Sequence, residues 1–174
     1  MSLSPLTSNL GQHRAKHLLR RACFHYNKSL LDVISNMNVE QALDYLLQDN
    51  SISYQEPFDP LPSDNPHGYW LSSNEYPPDI PNQGRKRGLL SQWWFYNMVN
   101  RNNLKDKLLF FLHTTFTISK GDVGASHYFY DHLKLLEHYC DGNLRELAKK
   151  ITLDNAMLNY LDNCLLYTSD AADE

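Results

Sequence analysis

The chain has 174 residues, of which 42% are apolar, 12% aromatic and 21% charged. This composition is typical of a single globular domain. It excludes a disordered chain, because large apolar side chains supply the buried surface that offsets the entropy lost on ordering. The formal net charge of −4 excludes a global basic field for nucleic acid. Basic residues cluster at 14–21 and 85–87, and we interpret both clusters as solvated helix surface.

Cysteine content and hydropathy exclude further classes of protein. Cys23, Cys140 and Cys164 show no CxxC spacing, so the sequence predicts neither a disulfide framework nor a structural zinc site. No apolar run approaches the roughly 20 residues that cross a bilayer. The first residues contain no apolar signal segment, so a cytoplasmic location is the default expectation.

The first third of the chain predicts three helices. Residues 9–22 place Leu18, Leu19 and Ala22 on one apolar edge at helical spacing. A short second helix follows from residue 29, with a cap at Asn27 or Ser29. The pair Asn38 and Gln41 resembles a capping box that opens a third helix over residues 38–48.

The segment from residue 48 to residue 84 predicts neither helix nor sheet. Seven of the eight prolines fall there, and proline removes a backbone donor and fixes φ. Five aromatic residues in this segment indicate that it lies along the helical body rather than away from it: Tyr54, Phe58, Tyr69, Trp70 and Tyr76.

Helical patterns return after residue 84 and are stronger. They cover residues 88–100, 104–117, 125–139, 143–153 and 155–163, with capping signals at Asn143 and Asp154. The sequence therefore predicts an all-α fold, an irregular bundle of six to eight helices with one long proline-rich loop. The residues expected in its core include Leu109, Leu112, Phe116, Leu147 and Leu158.

Two groups of sequence blocks resemble domain-of-unknown-function family 1800, a family of large bacterial proteins. The first is RAKHLLRRACFHYNKSLLDVISNMNVEQALDYLL, and the second comprises WWFYNM, KLLFFLHTTFTI and NLRELAKKITLDNAMLNYLDN in that order. The resemblance covers residues 9–163 and is strongest to the Bacteroidetes branch. The family usually has a second histidine two residues after the position of His113, where this chain has Thr115. The family's next distinctive helix is expected after Asn163, so the resemblance implies an N-terminal fragment.

The last eleven residues have a different expected origin. Residues 164–174, CLLYTSDAADE, resemble the translation of a transposase mosaic end joined to a sequencing adapter. We therefore expect residues 1–163 to be the N-terminal part of one truncated helical domain, and residues 164–174 to be a non-native tail without a docked position. Truncation at Asn163 is expected to expose apolar side chains, with these candidates: Phe110, Phe111, Met157 and Tyr160.

Three residues are candidates for chemistry. His113 lies within an apolar helix, where an imidazole can ligate a metal or carry a proton; the alternative is a core histidine bonded to a backbone carbonyl. His127 and Asp131 are four residues apart on one helix, so the carboxylate can orient the imidazole; the alternative is a solvated helix face. The pair His13 and His17 has metal-ligand spacing, but neighbouring cations disfavour a metal dication there.

Two classes of function remain open. The first is a helical scaffold or protein-binding component. Members of the family that this chain resembles are often encoded beside a sulfatase-like protein, so the resemblance implies that protein as a partner. The second is a metal-assisted hydrolase whose site would join His113 to carboxylates in the missing half. Acidic and histidine side chains clustered near His113 would favour the second class. The cofactor and substrate are left open by the sequence.

Overall fold

The computed structural model describes residues 6–48, 56–61, 68–71 and 82–161. These residues form eight helices: α1 (Gly11–Ala22), α2 (Lys28–Ser35), α3 (Val39–Leu47), α4 (Gln83–Asn100), α5 (Lys105–Thr115), α6 (Ser126–Tyr139), α7 (Leu144–Ile151) and α8 (Asn155–Tyr160). The only extended pairing within them is an isolated antiparallel bridge between Phe58 and Tyr69. The predicted all-α class is confirmed.

Side-chain caps fix the starts of four helices, as the sequence predicts. The carboxamide of Asn27 accepts the Leu30 backbone N–H at 2.8 Å at the start of α2. Asn38 and Gln41 form a complete capping box at the start of α3. The Asn143 side chain accepts the backbone N–H groups of Arg145 and Glu146 at the start of α7, and the Asp154 side chain accepts that of Met157 at the start of α8. Each cap satisfies a backbone donor that has no partner within its own helix.

The chain divides into two compact units. Unit 1 comprises residues 1–53 and 96–108, and unit 2 comprises residues 54–95 and 109–174. In unit 1, helices α1, α2 and α3 bury a core that contains Ala15, Leu19, Ile34 and Leu46. The Leu104 backbone N–H donates to the Leu46 carbonyl at 3.0 Å, which ties the second segment of unit 1 to the end of α3.

Unit 2 buries the inner faces of its helices. Leu109, Leu112 and Leu147 are buried there as predicted. The prediction is wrong for Phe116 and Leu158, which are half-buried. Phe116 lies one residue beyond α5 and lines a cavity of about 410 Å³, and Leu158 lies in α8, which is only six residues long.

The proline-rich segment is described in two short stretches of unit 2. The Asp59 backbone N–H donates to the Gly68 carbonyl at 2.7 Å beside the Phe58–Tyr69 bridge. The Trp70 side chain is buried, and its indole N–H donates to the Ser126 hydroxyl at 3.1 Å. Trp70 therefore packs on the helices of its unit, as expected, whereas Phe58 and Tyr69 are exposed and contact each other. The other two aromatic residues, Tyr54 and Tyr76, lie outside the described residues.

The apolar side chains expected at the surface are exposed only in part. Phe110 and Phe111 are exposed, whereas Tyr160 is half-buried. The expectation is wrong for Met157, which is buried. Met157 and Ala156 are the buried residues of α8, so the Met157 side chain lies on the inner side of that helix.

Candidate functional site

Helix α6 presents one histidine to the core of unit 2. His132 belongs to the buried face of α6, together with Phe129, Leu133 and Leu136, a spacing of three and four residues that defines one side of a helix. The side chain of His132 is fully buried. Its ionisable imidazole therefore needs a polar partner inside the core.

That partner is Asp154, the residue that caps α8. The His132 Nδ1 lies 2.8 Å from Asp154 Oδ2, and the same oxygen accepts the Met157 backbone N–H at 3.0 Å. Because a carboxylate only accepts hydrogen bonds, Nδ1 of His132 carries the proton. In the neutral imidazole, Nε2 then keeps its lone pair.

A second imidazole lies next to this pair. The His113 ring on α5 is 5.8 Å from the His132 ring, centroid to centroid. The indole of Trp94 meets His113 edge-on at 4.9 Å, and the Phe129 ring lies 6.4 Å away. Burial, followed by the charge of neighbouring His132, lowers the pKa of His113 to about 4. His113 is therefore a neutral imidazole at pH 7.

Three buried nitrogen atoms of this cluster have no hydrogen-bond partner among the described residues. They are His113 Nδ1, His132 Nε2 and Trp94 Nε1. Buried polar atoms are normally hydrogen-bonded, and an unpartnered one is destabilising. Three such atoms on rings in contact with one another indicate a polar site. We call the residues Trp94, His113, His132 and Asp154 the imidazole cluster.

The second predicted pair is less enclosed. His127 and Asp131 are one helical turn apart on α6, as expected, and their charges interact. Partial burial lowers the pKa of His127, an effect that Asp131 opposes. Partial burial also raises the pKa of the Asp131 carboxyl; His127 opposes that shift, and the Asp154 carboxylate adds to it.

The imidazole cluster contains only one of the three candidate residues that the sequence indicated. Among the three candidates, the structure places His113 in the cluster and leaves His127 and Asp131 outside it. His132 and Asp154 replace them. Helical periodicity could have identified His132, because it shares the spacing of Phe129 and Leu136, whereas His127 and Asp131 do not.

Within residues 6–48, 56–61, 68–71 and 82–161, no group of three or more His, Cys, Asp or Glu side chains is arranged to hold a metal ion. No described helix is long and apolar enough to span a membrane. The pair His13 and His17, which the sequence disfavours as a metal site, lies on the exposed face of α1.

Comparison with known proteins gives one match. A family model described as "Protein of unknown function (DUF1800)" matches residues 17–166. No curated protein matches the chain, and no solved structure does. The matched range begins within α1, includes α2 to α8 and extends to residue 166. The adapter origin of residues 164–174 stays a prediction, since these residues lie outside the described part of the chain.

Proposed function

We propose that this chain, which belongs to the DUF1800 family of proteins of unknown function, binds one transition-metal ion between His113 and His132 and uses it in hydrolysis. The observation that carries the proposal is the pair of buried imidazole nitrogens, His113 Nδ1 and His132 Nε2, on rings 5.8 Å apart with no partner among the described residues. An imidazole lone pair is a common ligand of zinc and related metals.

The spacing of the two rings fits a shared metal. Zinc binds imidazole nitrogen at about 2.0–2.1 Å, so two imidazoles on one tetrahedral ion have ring centroids roughly 5–6 Å apart. The ring separation of 5.8 Å falls in this range. Catalytic zinc sites have three protein ligands and one position open to water or substrate, so His113 and His132 would supply two of the three protein ligands.

The hydrogen bond of His132 and the lowered pKa of His113 also fit metal binding. The carboxylate of Asp154 fixes the proton of His132 on Nδ1, which leaves Nε2 as the ligating atom. A carboxylate that orients a metal-bound histidine is a recurring arrangement in such sites. The lowered pKa of His113 keeps that imidazole in its neutral, ligating form at pH 7.

Each residue then has a distinct part in the chemistry. His113 and His132 would hold the metal, and Asp154 would position His132. The Asp131 carboxyl, with its raised pKa, is exposed on the same helix as His132 and could accept a proton during hydrolysis. A bound metal of this kind supplies a water of lowered pKa and polarises a carbonyl or phosphoryl oxygen.

Metal content tests the proposal directly. After equilibration with Zn²⁺ and gel filtration, the wild-type chain should retain about one zinc ion. His113→Gln and His132→Gln should each abolish retention, because glutamine has a similar size but no imidazole lone pair. His127→Gln, on the same helix as His132, is the matched control and should retain the metal. Equal zinc in the wild-type protein and the double variant His113→Gln/His132→Gln would refute the proposal.

A helical scaffold that binds a second protein is the other candidate function. The observation that favours it is the exposure of large apolar side chains in unit 2, with Phe95 at 59% and Phe111 at 62% of their full exposure. Such side chains on a surface often belong to a protein interface. The partner we propose is the sulfatase-like protein encoded beside members of the family.

Co-expression of the two proteins tests this second function. Phe95→Ser/Phe111→Ser should abolish a complex that elutes as one species in gel filtration. Leu153→Ser is the control. Leu153 is also an exposed apolar residue, at 74%, but it lies between α7 and α8, whereas Phe95 and Phe111 lie on α4 and α5. Separate elution of the wild-type proteins at micromolar concentration would contradict the partnership.

A further inference from the structure

We propose that unit 1 binds an acidic amphipathic helix of a partner protein in a groove along α1. The groove has a volume of about 600 Å³. It lies in unit 1, and neither its residues nor its chemistry depend on the imidazole cluster of unit 2. Failure of the proposed metal site in unit 2 would therefore leave the proposed groove in unit 1 unaffected, and the reverse is also true. We call it the α1 groove.

The floor of the α1 groove is apolar. It is formed by Leu10, which directly precedes α1, by Leu18 on α1, and by Val39 at the start of α3. Leu10 is buried, and Leu18 and Val39 are half-buried. The floor is therefore recessed, and an occupant must insert its own apolar side chains to reach it.

The rim of the α1 groove is basic. Arg14 and Arg21 line it, together with His13 and His17, and all four side chains are exposed. The two arginines are seven residues apart, so they are two helical turns and about 10 Å from each other on one face of α1. Carboxylates seven residues apart on a second helix would have the same spacing.

Among the described residues, no acidic side chain forms an ion pair with the basic residues of α1. The helix sequence GQHRAKHLLRRA contains no acidic residue. The structure gives Arg14, Lys16, Arg20 and Arg21 no ion-pair partner among the described residues. On a chain with a formal net charge of −4, this is a local positive surface. A partner with acidic flanks around an apolar stripe complements both the rim and the floor.

The shape of the surface favours a helix over a lipid bilayer. A helix that lies in a membrane interface inserts its apolar face among the acyl chains. The apolar face of α1, formed by Ala15, Leu19 and Ala22, is buried in the core of unit 1. The accessible apolar atoms of α1 instead lie in a recess, where a protruding side chain can reach them and a planar membrane surface cannot.

Binding of a designed peptide tests the proposal. The probe is a fluorescein-labelled synthetic helix of about five turns with glutamates seven residues apart on both sides of a leucine stripe. Its fluorescence anisotropy is measured against the full chain in 0.1 M salt. The control peptide has glutamine in place of every glutamate, and we expect it to bind about tenfold more weakly because its charges are gone.

Two charge-reversed variants on the same helix separate groove binding from general attraction. Arg14→Glu/Arg21→Glu changes the rim and should weaken peptide binding at least about tenfold. Lys16→Glu/Arg20→Glu makes the same change of charge outside the groove and should weaken peptide binding less than about threefold. Leu18→Ser should weaken binding through the floor alone. Far-ultraviolet circular dichroism verifies that each variant keeps its helical content.

Two results would overturn the proposal. One is an equal loss of affinity in both charge-reversed variants, which would make α1 a basic surface without a groove site. The other is binding to phosphatidylserine vesicles without binding to the peptide, which would make the occupant a membrane. A Zn²⁺-binding result at His113 and His132 changes neither outcome, because that experiment reports on unit 2.

Discussion

Removal of the Asp154 carboxylate tests whether the link between α6 and α8 stabilises unit 2. The same oxygen accepts the His132 Nδ1–H and the Met157 backbone N–H. Asp154→Ala removes both hydrogen bonds. Asp154→Asn keeps an oxygen in the same position, so it retains both hydrogen bonds and removes only the negative charge.

The expected magnitudes follow from the two bonds. Loss of an N-cap costs about 1 kcal/mol. Loss of a buried hydrogen bond to a charged group, with the His132 N–H left unpartnered, costs roughly 1.5–3 kcal/mol. We therefore expect Asp154→Ala to lower the free energy of unfolding by about 3 kcal/mol. Asp154→Asn should lower it by about 1 kcal/mol, since charge-assisted hydrogen bonds are about twice as strong as neutral ones.

Urea denaturation followed by circular dichroism measures these differences, with a chelator present so that metal binding does not contribute. Asn143→Ala is the control, because Asn143 caps α7 at an exposed position and its loss should cost about 1 kcal/mol. If Asp154→Ala destabilises the protein no more than Asn143→Ala, the bond to His132 does not stabilise unit 2. Asp154 would then not be the polar partner that stabilises the buried His132 side chain.

Two further predictions concern a buried thiol and the core of unit 2. Burial, with a contribution from the Asp106 carboxylate and opposed by Lys107, raises the pKa of the Cys23 thiol to about 11. Iodoacetamide at pH 8 should therefore alkylate Cys23 in the native chain about 100-fold more slowly than in urea. Mass spectrometry measures both rates, and equal rates would contradict the raised pKa of Cys23. Leu147→Ala should lower the free energy of unfolding by about 2–5 kcal/mol because Leu147 is fully buried. Leu153→Ala, at an exposed position, should change it by less than about 0.5 kcal/mol, and equal effects in urea denaturation would show that Leu147 is not a core residue.

Local sequence patterns determined most of the secondary structure. The eight helices correspond to eight predicted segments, because apolar periodicity and capping residues act within a few neighbouring residues. Asn38 and Gln41 show this directly: their side chains bond to each other's backbone N–H groups three residues apart. The start of α4 was predicted later than it is, at residue 88 rather than Gln83. Its first turn contains polar residues without an apolar stripe, so periodicity gave no signal there.

The sequence by itself determined the all-α class, the caps of α3, α7 and α8, and the placement of His113 on a largely apolar helix; for the cap of α2 it left Asn27 and Ser29 as alternatives. Only the tertiary structure decided which side chains His113 meets. His132 and Asp154 are 22 residues apart, and their contact depends on the packing of α6 against α8, which no local pattern encodes. The sequence favoured His127 and Asp131 because they share one helix face. The core of unit 2 instead buries the face of α6 that contains His132, the residue after Asp131. The buried His132 imidazole needs a polar partner, and Asp154 at the start of α8 supplies it.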